Sequence, residues 1–404
     1  MVLSGGGARG AYEAGIIHYI RTMIPGAEGG LRPFEIQCGS SVGAINTSFM
    51  VATAHDSMLQ GKDIWRLWQD VKADSVYRRD QTALVQFLVK SGKGIVRNIF
   101  RRDLWTQGLA HFPGFLDTTP FQGFLEKVIP WPAIAKNIRA GICQAISITA
   151  TNVFTGRLEL FIDKHPSVEY TGEYIHHFSR IRAIHAKASG AIPMIFPTVP
   201  IQGVYYTDGS LRLNTPMSPA IQLGADGVFV VSLHHRAKTD ETIPSHGKRG
   251  EPPSMGQVLG RVMNAVFLDR LQYDLEQLER INKIVDWTEE LYGKNYLHDL
   301  NEMLHKKNIR GDIANRGLKR LQVLRIRPSQ DIAELFSHIF QRHRSADLSG
   351  FERFLVRFLD VDPTAGVDLL SYIAFIPDYI KALLELGFED ARSMRDEIKD
   401  FLQL

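Results

Sequence analysis

Cysteine is nearly absent from this 404-residue chain, which carries only Cys38 and Cys143. Two thiols so far apart exclude a disulfide framework and any C-x-x-C metal or redox motif. The expectation is a reducing compartment, with both thiols buried as small hydrophobes. No charge of one sign dominates either: 47 basic residues face 44 acidic ones, a formal charge of +3. That balance argues against a nucleic-acid-binding protein. No apolar run approaches the roughly 18 residues of a membrane span, and the N-terminus lacks the pattern of a secretory signal. A cytoplasmic protein is expected, with peripheral membrane contact and signal-independent export left open. No spacing of His, Cys, Asp or Glu suggests a metal site, so neither metal nor cofactor is expected. Composition is otherwise that of a globular protein, 44% hydrophobic and 23% charged.

Along the chain, Met1 to Ala54 reads as strand, glycine loop, helix, strand, sharp turn, helix, a βαβ opening that predicts a mostly parallel sheet in an α/β fold. Met1–Leu3 is short for a strand feeding a glycine loop, which suggests further residues before Met1 in the natural chain. Residues 55–137, rich in Trp and Arg, read as a helical insertion or cap near the carboxyl edge of the sheet. Strand patterns resume at "QAISITATNV" and "RLELFI" and continue through "VYYTDGS" to "GVFVVSL". A polar stretch after Leu233 then marks a linker. The expected division is a catalytic domain over 1–235 and a mostly helical extension over 236–404, with a strand near 321–327 that could return to the core sheet. The extension's helices are expected to serve packing or oligomerisation.

Two glycine-rich stretches carry the chemistry. In "CGSSVGAIN", Gly39, Ser41 and Gly43 form G-x-S-x-G between an apolar strand and a small-residue helix. Such an elbow strains its central serine, requires small neighbours and presents the hydroxyl at a helix N-terminus. Ser41, rather than Ser40, is the candidate nucleophile. In "SGGGARGAYEAG", Gly5, Gly7 and Gly10 also spell G-x-G-x-x-G, the dinucleotide-binding fingerprint. That reading needs an acid at the end of the second strand to hold a ribose. The second strand ends instead in Cys38, Gly39 and the elbow, while Glu28 lies in a glycine-rich turn and Glu35 inside the strand. The alternative is an oxyanion hole: neighbouring parallel strands would set the loop Gly5, Gly6, Gly7, Arg9, Gly10 beside Ser41, its N–H groups facing a developing oxyanion. Arg9 either fixes that loop, meets a phosphate or forms a structural ion pair.

A serine nucleophile needs a base. None of the 14 histidines sits in an obvious site loop, and the pairs His176–His177 and His234–His235 read as surface residues. "YYTDGS" is sharper, because it puts Asp208, with Gly209 behind it, on a tight turn at a strand end, where α/β sites collect their residues.

These stretches in this order, with "ASGAIPMIFP" (188–197) before the aspartate, resemble the patatin-like phospholipase family over residues 4–210. The resemblance implies a three-layer α/β/α fold and a Ser/Asp dyad without catalytic histidine, cleaving acyl esters of lipids as a phospholipase A or lysophospholipase does. Carried over, Ser41 is the nucleophile, Asp208 the base, Gly5 to Gly10 the oxyanion hole, and Gly39, Gly43 and Gly209 the supports of elbow and turn. Ser210 departs from the family, which more often has Gly or Ala there. Lipid substrate is the implied partner. "KGIVRNIFRRDLW" (93–105) has a basic amphipathic pattern that suits an anionic bilayer surface, although a cap helix packed on the core with a solvated basic face is the more common origin of such a pattern.

Three rival readings remain open at this point. An α/β-hydrolase esterase with a Ser-Asp-His triad would need more strands before its elbow. A nucleotide-binding oxidoreductase would use Gly5 to Gly10. A catalytically silent lipid-binding protein would keep the motifs behind a closed cap.

Overall fold

The computed structural model describes residues 1–24, 34–78, 116–235, 271–293, 295–307, 320–342 and 367–404. In chain order the elements are β1 (Val2–Leu3), α1 (Gly10–Met23), β2 (Ile36–Gly39), α2 (Val42–Ala52), α3 (Ser57–Asp70), α4 (Ala73–Val76), α5 (Thr119–Val128) and α6 (Trp131–Arg139). Then come β3 (Ala145–Asn152), β4 (Leu158–Lys164), β5 (Ile175–Phe178), α7 (Ala183–Ser189), β6 (Val199–Ile201), β7 (Val204–Asp208), α8 (Met217–Gln222) and β8 (Gly227–Val231). The remainder is α9 (Leu271–Tyr292), α10 (Asn295–Lys306), β9 (Gln322–Ile326), α11 (Ile332–Arg342), α12 (Val367–Ile373), α13 (Pro377–Ser393) and α14 (Arg395–Leu402).

One sheet organises these elements, in the order β5-β4-β3-β2-β1-β8-β9, with β7 paired to the outer end of β3 and β6 paired to β7. From β3 to β9 along that order every pairing is parallel, whereas β4 and β7 run antiparallel to β3. Parallel strands are buried on both faces and therefore read as continuous apolar runs. Alternate residues here feed two separate cores. Leu3, Phe161, Phe229 and Val231 join the core that contains α1, α2 and α13, while Val2, Leu160, Ile162, Val228 and Val230 join the one formed with α8 and α9. Helices therefore cover both faces of a mostly parallel sheet, the expected α/β/α layering.

The strand anticipated near 321–327 is β9, which extends the sheet beside β8 in parallel register, Val228 opposite Val323. Helix α13 lies directly on α1. A Cβ on Gly15 would stand 2.1 Å from Leu384 O, and one on Gly387 would stand 2.0 Å from Tyr12 O, so the two backbones touch where neither helix has a side chain. Tyr12 OH closes the contact by donating to Asp390 Oδ2 at 2.8 Å. Strand β9 and helices α9, α11, α12, α13 and α14 thus share the sheet or the cores of the first 235 residues. The amphipathic stretch 93–105 lies outside the described residues, as does most of the expected linker.

Candidate active site

The parallel register of β1 and β2, Val2 opposite Cys38 and Leu3 opposite Gly39, brings the ends of both strands out side by side. The glycine loop and the serine elbow leave the same edge of the sheet as neighbours. Ser41 sits between β2 and α2 with φ 50° and ψ −121°, a conformation that non-glycine residues rarely hold. Close packing enforces it. A Cβ on Gly39 would lie 2.3 Å from Gly43 O, and one on Gly43 would lie 2.4 Å from Leu3 O, so both elbow glycines make room for backbone. Ser41 N–H donates to Ser189 Oγ at 2.9 Å. The adjacent Ser40 is turned inward, its hydroxyl bonded to Thr149 Oγ1 at 2.8 Å, which leaves Ser41 as the serine facing the site.

Asp208 ends β7, which reaches the site by antiparallel pairing with β3, Ala150 opposite Asp208. Ser41 Oγ donates to Asp208 Oδ2 at 2.7 Å. The other carboxylate oxygen, Oδ1, accepts from Ser210 N–H at 2.8 Å and from the Ser210 hydroxyl. Full burial pushes the Asp208 carboxyl up to about 6, against the pull of the two Ser210 bonds and the Ser41 bond, which favour the ionised form. Gly209 allows the turn, since a Cβ there would meet Thr149 Oγ1 at 2.2 Å.

The glycine loop is narrower as a donor set than its sequence suggested. Gly5 N–H is committed to Asn214 O at 3.1 Å, Arg9 N–H to Gly6 O at 3.1 Å, and Gly10 N–H to the loop's own carbonyls. The last two bonds close a single 3-10 turn, Gly7–Arg9, the first ties the loop to Asn214, and among the described residues Gly6, Gly7 and Ala8 are left as the loop N–H groups without a main-chain acceptor. Gly7 holds φ 57°, and a Cβ there would stand 2.0 Å from Tyr372 O.

Arg9 does not face the site. Its guanidinium is buried, bonded from Nε to Ser371 Oγ at 2.9 Å and stacked over the Tyr372 ring at 4.0 Å. Of the roles open to it, fixing the loop is the one its surroundings match.

Beside Ser41 opens an apolar pocket. Val42 and Ile45 of α2, Trp68 of α3, Phe121 and Phe124 of α5, and Ile192 and Phe196 form much of the wall, with Gly7 at the loop side. Tyr372 and Phe375 complete it from the C-terminal segment. Those two residues escaped the sequence reading, because a short helix and the turn after it, so far from the motifs, carry no local sign of their destination. The role of "ASGAIPMIFP" was also missed: besides Ser189 holding the elbow, Ala191 O accepts from Asp208 N–H at 2.9 Å and from Thr207 Oγ1 at 2.8 Å. One segment therefore holds both halves of the Ser41–Asp208 pair. Among the described residues no histidine is bonded to Ser41 or Asp208, and no group of three or more His, Cys, Asp or Glu could hold a metal ion. Nor, among them, is any helix long and apolar enough to cross a membrane.

The family model for patatin-like phospholipases matches residues 1–221. Among solved structures, the crystal structure of VipD from Legionella pneumophila is similar to this chain at 14% identity over 95% of this chain and 66% of that one, with a TM-score of 0.28. No curated protein matches the sequence significantly.

Proposed function

We propose that this chain, which belongs to the patatin-like phospholipase family, is a serine lipid acyl hydrolase of the phospholipase A or lysophospholipase type, working through Ser41 and Asp208. Membership of the family implies a lipid substrate and hydrolase activity. The residue roles are our own reading, and the observation that carries them is the 2.7 Å bond from Ser41 Oγ to a buried Asp208 beside an apolar pocket.

In this reading the acyl chain of the substrate enters the pocket and its ester carbonyl lies over Ser41. Asp208 Oδ2 takes the hydroxyl proton as Ser41 Oγ attacks the carbonyl carbon, and the negative charge moves to the carbonyl oxygen. The N–H groups of Gly6, Gly7 and Ala8 are the loop donors available to that oxygen, and donors of this kind are worth about 10²–10³ in rate each. Collapse breaks the ester bond, Asp208 returns the proton to the departing alcohol or lysolipid, and Ser41 is left acylated. Water then gives a proton to Asp208 as it attacks the acyl-enzyme, and Asp208 returns that proton to Ser41 Oγ as the bond to the acyl carbon breaks and the fatty acid leaves. A carboxylate of ordinary acidity is a weak base for a hydroxyl, and the raised Asp208 value brings it nearer to that task.

The test is covalent labelling. A fluorophosphonate probe should modify Ser41 alone, and Ser41→Ala should abolish labelling. Undiminished labelling of a folded Ser41→Ala protein would remove Ser41 from the role.

A further inference from the structure

The hairpin joining β3 to β4 has a tip that the catalytic reading does not use. Phe154 is 75% exposed, and Val153 and Tyr205 are 44% exposed beside it. The rings of Phe154 and Tyr205 meet edge to face at 6.1 Å, and Val153 N–H donates to Tyr205 O at 2.9 Å, so the three form one apolar cluster contributed by the hairpin and β7.

Hydrogen bonds within the turn hold the tip in shape. Asn152 Oδ1 accepts from the N–H groups of Phe154 and Thr155, Gly156 N–H returns to Asn152 O, and Arg157 N–H is bonded to Thr155 Oγ1. With these N–H groups bonded inside the turn, few backbone donors at the tip have to be stripped of water when it enters an apolar phase. An exposed phenylalanine held out by a turn whose N–H groups are bonded within it is pre-organised for contact rather than left over from packing.

Charge surrounds it. Arg157 follows the tip, and the Arg212 guanidinium lies against it, 3.2 Å from where a Cβ on Gly156 would stand. Both arginines are exposed and neither has an acidic partner among the described residues. The hairpin's own carboxylate, Glu159, is buried and tied to His177, Tyr206 and Asn152. The cluster therefore presents apolar rings with a cationic border.

Its position matters too. β3 runs parallel to β2 and continues past it, so the hairpin projects beyond the carboxyl edge where Ser41 sits. Tyr205 lies three residues before Asp208 on β7, roughly 10 Å along the strand.

We propose that this tip, Val153, Phe154 and Tyr205 with Arg157 and Arg212, docks the protein on an anionic phospholipid bilayer. The rings enter the interface, where an aromatic body gains most, and the guanidiniums meet lipid phosphates. The inference deepens the lipid hydrolase reading and rests on it for the choice of a bilayer as occupant.

The test is sedimentation with vesicles of phosphatidylcholine alone and of phosphatidylcholine mixed with phosphatidylglycerol, alongside hydrolysis of a water-soluble short-chain ester. Phe154→Ser/Tyr205→Ser should weaken binding to the mixed vesicles about tenfold or more. Arg157→Gln/Arg212→Gln should weaken binding to the mixed vesicles by on the order of tenfold and abolish the preference for them over phosphatidylcholine. Both variants should hydrolyse the soluble ester at the wild-type rate. Binding of either variant to mixed vesicles within about twofold of wild type, or a wild type that does not bind them, overturns the proposal. So does a wild-type dimer in solution that Phe154→Ser/Tyr205→Ser converts to monomer, because the occupant is then a second copy. If instead the vesicle results hold and no protein hydrolyses any ester, the docking surface stands and the hydrolase reading falls.

Discussion

Arg9 and Ser371, 362 residues apart in the chain, are joined by hydrogen bonds from the guanidinium to the serine hydroxyl, the Nε bond measuring 2.9 Å. The pair fastens the glycine loop to the C-terminal segment, and Tyr372 beside it both stacks on Arg9 and lines the apolar pocket. Residues beyond 221, where the family model ends, thereby form part of the candidate site.

Breaking that clasp should reach the chemistry through the loop. Arg9→Ala removes a buried, hydrogen-bonded and stacked cation, and should cost about 2–4 kcal/mol of stability and lower kcat tenfold or more, with KM little changed. Ser371→Ala should be milder, about 1–2 kcal/mol. Arg9→Lys should fail to rescue, because an ammonium reproduces neither the planar stacking nor the forked donors. Steady-state kinetics and thermal unfolding of the three variants check this; a wild-type kcat in folded Arg9→Ala would show that the loop holds its shape unaided.

Gly7 is the loop position least able to carry a side chain. Gly7→Ala would combine a left-handed φ with a Cβ driven into Tyr372 O, and the loop would have to move. The expected loss in kcat is on the order of 10²-fold or more, comparable to deleting an oxyanion donor. Single-turnover acylation measures it directly.

As the proposed base, Asp208 should set the acid limb of activity. Its carboxyl is pushed up to about 6 by burial and must be ionised to accept the Ser41 proton. As pH falls through that value the base is protonated and acylation is lost, so kcat/KM at pH 5 should be about tenfold below its plateau.

Ser210 should tune that limb. Its hydroxyl donates to the charged form of Asp208 and favours ionisation. Ser210→Ala keeps the backbone N–H donor but loses the hydroxyl, which disfavours the carboxylate and moves the limb to higher pH. The rate well above the limb should stay near wild type. An unmoved limb would show that the hydroxyl does not act on the carboxylate.

How much of this was legible in the sequence depends on the range of the contacts involved. The elbow and the Asp-Gly turn are local solutions to tight packing, and the glycines that permit them are visible at Gly39, Gly43 and Gly209. The neighbourhood of loop and elbow followed from strand order alone, since parallel β1 and β2 must release their chains at one edge. The glycine loop's donor set was legible only in outline, because which N–H groups remain uncommitted depends on Asn214 and on the 3-10 turn. The surroundings of Arg9 are made by Ser371 and Tyr372, residues with no motif of their own. Ser189 and Ala191 stood inside a quoted segment, yet their contacts are made by a hydroxyl and a carbonyl that any short polar stretch could offer. The α13 packing rests on Gly15 and Gly387, two glycines whose pairing across the chain has no local signature.

The most direct measurement is fatty-acid release from phospholipid vesicles by wild type, Ser41→Ala and Asp208→Asn, with folding of each checked by circular dichroism. The account predicts release by the wild type and a fall of at least about 10⁴-fold in both variants, as expected when either member of a nucleophile–base pair is removed. Full release by either folded variant would contradict it.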